Sequence, residues 1–72
     1  MILTVRGFSI INESGRNATV LITVFVNSDG EPRPVRFQKF FSNIGDAPRV
    51  SEKIEVEERD GKYWWGDVME CE

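Results

Sequence analysis

Ten consecutive residues, 18–27, read Ala-Thr-Val-Leu-Ile-Thr-Val-Phe-Val-Asn, and all but the last are β-branched, aromatic or otherwise apolar. Such a run favours a pleated strand over a helix, because β-branched side chains lose rotamer freedom against a helical turn and pack well across a sheet. Period-two alternation puts Val20, Ile22, Val24 and Val26 on one face and Thr19, Leu21, Thr23 and Phe25 on the other. A chain of 72 residues built around such a strand makes one domain, residues 1–72.

The rest of the chain repeats the pattern. A first strand over 2–11 has Gly7 inside it, a sign of a bulge or bend. Its alternation places Ile2, Thr4, Arg6 and Phe8 on one side and Leu3, Val5 and Gly7 on the other. Residues 12–17 form a loop of turn-forming residues, and Ser28-Asp29-Gly30-Glu31 is a hairpin signal. Pro32 and Pro34 cannot donate to a ladder and delay the third strand to 35–42. Residues 44–48 are a loop, with room for one helical turn between 42 and 49. A fourth strand, 50–59, turns Ile54 and Val56 inward. Asp60-Gly61 makes a second tight turn, and 62–71 is the fifth strand.

Five strands in so short a chain are too few for a useful sandwich, whereas a small antiparallel barrel covers both its core and most of its edges. The expected class is therefore all-β, a five-stranded barrel of the OB type or, alternatively, the SH3-like type, with little or no helix. A chain this short buries only about 60% of its unfolded surface, so a second copy of the chain is the expected supplement to its core.

Composition excludes several functions. There is no His, and the single Cys71 has no base to activate it, so the chain is not expected to be an enzyme, to bind zinc or to hold a cofactor. No apolar run approaches a membrane span and no signal peptide is evident, which gives the expectation of a cytoplasmic protein. The sequons at Asn12 and Asn17 are then chance matches. Residues 1–41 carry five cations and three anions, a balance of +2; residues 42–72 carry four cations and nine anions, a balance of −5. The acidic total argues against a strong, indiscriminate nucleic-acid binder but leaves a local basic face open.

Two segments carry candidate chemistry. Residues 33–41, Arg-Pro-Val-Arg-Phe-Gln-Lys-Phe-Phe, crowd three cations and three rings onto one strand. Cations pair with phosphates and rings stack on bases, which is how single-stranded nucleic acid is held. Alternation splits them into Val35, Phe37, Lys39 and Phe41 on one side and Arg36, Gln38 and Phe40 on the other. Lys39 between two phenylalanines implies a bulge or an exposed ring. The candidate nucleic-acid residues are Arg33, Arg36, Gln38, Lys39 and Phe40, with Phe25 beside them and Trp64 or Trp65, one of which is expected to be exposed. The plainer alternative is that the phenylalanines fill the core or a dimer interface. The second segment is the acidic hairpin of Glu55, Glu57, Glu58 and Asp60 with Trp64 nearby. It is either a solvated face or a dock for a basic protein, as in a phage-encoded inhibitor or a regulator of a host protein.

The chain's length, long first strand, Val35-to-Phe41 segment and closing pattern Val50-Ser51-Glu52-Lys53-Ile54-Glu55-Val56 before a Gly hairpin resemble small phage single-stranded DNA-binding proteins of the OB class, such as the filamentous-phage gene V family. The resemblance implies a dimeric barrel that binds single strands cooperatively by stacking and charge.

Overall fold

The computed structural model describes residues 1–71. It is all-β and antiparallel: β1 (Ile2–Thr4), β2 (Gly7–Ser14), β3 (Asn17–Ser28), β4 (Glu31–Phe41), β5 (Lys53–Glu55), β6 (Glu57–Arg59), β7 (Lys62–Trp65) and β8 (Val68–Met69). One 3-10 turn at Ile44–Asp46 is the only helical piece among the described residues; the Asn43 side chain caps it, accepting from the Gly45 N–H at 3.0 Å. It falls inside the segment where the sequence leaves room for a helical turn. No helix among the described residues is long and apolar enough to cross a membrane.

The strands form three ladders: β1–β5, β2–β3–β4 and β6–β7–β8. Backbone hydrogen bonds connect them. The first strand leaves β5 at Val5, whose N–H donates to the Glu52 carbonyl, and joins β3 at Arg6, whose N–H donates to the Thr23 carbonyl. Val56, the one residue between β5 and β6, exchanges backbone hydrogen bonds with Met1 at the start of the first strand, and the Cys71 N–H donates to the Arg36 carbonyl at 2.7 Å, bringing the end of the last strand against β4. Neighbours thus run around the molecule and return to the first strand, as three short ladders joined at their ends rather than one continuous closed ladder.

Gly7 lies just after the bend, at the first rung of β2 with β3. A Cβ there would lie 3.1 Å from the Thr23 Cβ, closer than an ordinary contact, so the absent side chain lets the chain cross onto β3 without displacing Thr23. The irregularity at Val5–Arg6 also resets the alternation. The sequence puts Phe8 beside Ile2 and Arg6; in the structure Phe8 packs against the core, on the side of Leu3 and Val5.

β3 alternates as expected: Val20, Ile22, Val24 and Val26 are all buried. They meet Val5, Val35, Phe37, Ala47, Ile54 and Val56 in one core. β4 begins earlier than its prolines suggest, with Pro32 opposite Asn27 and Pro34 opposite Phe25. An outer strand tolerates them, since a proline facing away from its partner withholds no ladder bond. Asp29 and Gly30 both take positive φ (53° and 83°), the geometry of a two-residue hairpin turn whose twist matches its strands; Asp60 and Gly61 repeat it. The expected fourth strand is broken at Val56, and the expected fifth strand is instead a hairpin: the chain reverses at Gly66–Asp67, where Gly66 takes a φ of 60°, and β8 pairs antiparallel with β7, Trp65 opposite Val68. At twelve residues β3 spans about 40 Å, which sets the 42 Å long axis of the molecule.

Candidate functional site

The β3–β4 register decides which residues share a surface. Thr19 lies opposite Phe40, Leu21 opposite Gln38, Thr23 opposite Arg36 and Phe25 opposite Pro34. The intervening pairs, among them Ile22 with Phe37 and Val24 with Val35, are buried. Arg36, Gln38 and Phe40 therefore stand in one outward row with Phe25 and Thr23 beside it. Phe40 is 59% exposed and Phe25 46%. Among the described residues the Arg36 guanidinium has no ion pair, side-chain hydrogen bond or ring contact.

The other sequence candidates lie elsewhere. Arg33 sits opposite the buried Val26, on the core side of β4. Its guanidinium donates to Glu70 Oε1 at 3.0 Å and lies 5.9 Å from the Tyr63 ring centroid. Glu70 is nearly buried, and its second oxygen accepts from the Tyr63 N–H at 2.7 Å. Arg33 thereby neutralises a carboxylate that ties β8 to β7 and β4.

Lys39 resolves without a bulge and without exposing either flanking ring. Phe37 is fully buried, Phe41 half-buried, and the Lys39 ammonium caps the end of the core, 4.8 Å from the Trp65 ring centroid and 5.4 Å from that of Phe41. A long aliphatic stem makes this possible, lying along apolar surface while the charge reaches a ring face.

Neither tryptophan is exposed; both are half-buried. Trp65 packs edge-on to Phe37 at 6.1 Å and against Phe41 at 6.0 Å. Trp64 is covered by the Arg59 guanidinium at 4.6 Å, and its buried indole N–H has no hydrogen-bond partner among the described residues. Consecutive strand residues do face opposite ways, but each finds its own cover. Both leave the outward row.

The acidic set is also dispersed. Glu55 and Glu57 are exposed on either side of the buried Val56. Glu57 lies 3.5 Å from Arg59, and Glu55 lies 3.7 Å from the Met1 amino group. Glu58 faces the other way, opposite Tyr63, and Asp60 occupies the turn. No cluster of potential metal ligands occurs among the described residues.

One part of the surface escapes a reading by alternation. The β2–β3 register shifts between Ile10, opposite Val20, and Asn12, opposite Thr19. The extra residue, Ile11, turns Asn12 onto the outward face, where it completes the cross-strand row Asn12–Thr19–Phe40. A cavity of about 130 Å³ opens there beside Phe40. The sequence shows residues 12–17 only as turn formers, and nothing in it fixes the position of the bulge. Comparison of the chain with known protein families, with characterised proteins and with solved structures found no match.

Proposed function

We propose that this protein binds single-stranded nucleic acid along the outward face of β3 and β4, without strong sequence preference over most of the bound strand. Arg36 meets phosphate, Gln38 hydrogen-bonds, and Phe40 and Phe25 stack on bases. The observation that carries the reading is the single exposed row: a free guanidinium, an amide and the most exposed ring of the chain at alternate positions of one strand. Such a row offers charge for the backbone and π-faces for bases of any identity.

The strand order does not carry this reading: β7 and β8 are the two arms of a hairpin, Trp65 opposite Val68, so counting β1–β2 and β5–β6 each as one strand gives six strands in the order first, second, third, sixth, fifth, fourth and back to the first. The reading rests on the outward row of β3 and β4. A second copy has a place to join: β2 has a free edge, on which Ile10 and Ile11 are exposed. Light scattering at two concentrations tests that dimer, and a monomer at both overturns it.

The acidic hairpin gives weaker support to a basic protein partner, because Glu57 is already held by Arg59 and the Trp64 ring is covered.

Fluorescence anisotropy of a labelled oligonucleotide, at low and at physiological salt, tests the main reading. Binding should weaken with salt, and Phe40→Ala should remove about 1–3 kcal/mol of affinity. No binding at low salt overturns it.

A further inference from the structure

We infer that the cavity beside Phe40 is an adenine-preferring base site at one end of the stacking row. The inference rests on the nucleic-acid reading above and narrows it, since it gives one position of an otherwise sequence-tolerant surface a preference.

Asn12, Ser14, Asn17, Thr19 and Phe40 line this cavity. By register all five stand on the outward face: Asn12 and Phe40 flank Thr19 from either side, and Ser14 pairs with Asn17 two hairpin rungs further on. Glu13 and Ala18, which also border the cavity, pair with each other on the opposite face. The outward lining is thus uncharged, with two carboxamides and two hydroxyls beside one bare aromatic ring. Among the described residues none of these four polar side chains donates to or accepts from another protein group, so their hydrogen-bonding capacity is free for a ligand.

The chemistry differs from that of the middle of the row. Arg36 offers charge, which holds any phosphate. The cavity offers a stacking face and neutral forks of one donor and one acceptor, which suit a base edge and hold a phosphate poorly. Asn12 and Phe40 are two strand spacings apart across the sheet, about 10 Å between backbones. A base stacked on Phe40 must extend over Thr19 to reach the Asn12 amide, and the two fused rings of a purine cover more of that span than one ring. Among purines, adenine presents an amino donor beside a ring-nitrogen acceptor, the pair that an asparagine amide engages with two hydrogen bonds. Guanine presents two adjacent acceptors on the same edge, which match a guanidinium instead.

The test measures dissociation constants of labelled oligo-dA and oligo-dT of equal length for the full chain and for Asn12→Ala and Asn17→Ala, at one fixed salt concentration. The quantity read is the dT-to-dA ratio in each variant relative to wild type, so that intrinsic differences between the two polymers cancel. Loss of a two-bond amide–adenine contact should lower that ratio about tenfold in at least one variant, with oligo-dT affinity changed less than about twofold. Both substitutions are at exposed positions, and circular dichroism confirms that each variant is folded. An unchanged ratio in both variants, with both polymers bound, overturns the adenine site and leaves the general reading standing. Failure of wild type to bind either polymer at low salt overturns both.

Discussion

β4 carries the same residue types on its two sides and puts them to different uses. On the core side, Arg33 is bound to a nearly buried glutamate and Lys39 sits over two rings, so each cation is committed to the fold. On the outward side, Arg36 and Phe40 are free and exposed. A run of mixed cations and aromatics is therefore not one surface. Pleating divides it residue by residue, and whatever lies under the core side claims half of its charge. The two sides should respond to mutation in opposite ways, core-side changes lowering stability and outward changes lowering binding.

The largest expected contrast is between Phe37→Ala and Phe40→Ala. Phe37 is fully buried and meets Trp65 edge-on, so truncation should cost about 3–5 kcal/mol. That is comparable to the whole stability of so small a domain, and the variant should be largely unfolded by circular dichroism without denaturant. Phe40→Ala should shift the urea midpoint by less than about 0.5 kcal/mol equivalent. Similar losses in the two variants would break the division.

Next in size is Glu70→Ala. Its carboxylate satisfies the Arg33 guanidinium and the Tyr63 N–H together, and Glu70 is nearly buried. Removing it leaves a backbone donor and a charge without their acceptor, a loss of about 2–3 kcal/mol in urea unfolding. Glu70→Gln, which keeps an acceptor, should lose less. If the two variants are equally stable, Arg33 is not committed to the fold in this way.

Arg36→Ala tests the outward side alone. It should leave the urea midpoint unchanged and reduce the slope of log affinity against log salt by about one. An unchanged slope would mean that phosphates are met elsewhere on the surface.

The sequence allows these two sides to be separated because β4 keeps strict alternation from Val35 to Phe41, and the β3 faces follow for the same reason. The core valines, the Asp-Gly turns and the bend near Gly7 all depend on local residue chemistry and so can be read locally. What is not legible depends on how the strands pair and on what each side chain meets across them. Arg33 looks free until Glu70, 37 residues away, arrives beside it. Trp64 and Trp65 look surplus until Arg59 and Phe41 cover them. Asn12 reads as a turn residue because only pairing with β3 reveals the bulge that turns it outward. Phe8 is misplaced for the related reason that an irregularity shifts parity for everything after it.

Lys39→Met gives the smallest and sharpest test, because Lys39 is the cation nearest in sequence to the outward row that does not belong to it. Methionine keeps the length and apolar stem of the side chain and removes the charge over Trp65 and Phe41. A partly exposed cation–π contact is worth about 0.5–1 kcal/mol, so the variant should unfold at slightly lower urea than wild type. Its affinity for an oligonucleotide and its salt slope should match wild type, although the variant carries one positive charge fewer. If the slope falls as far as in Arg36→Ala, the ammonium leaves its rings to meet phosphate, and Lys39 is not committed to the core side of β4.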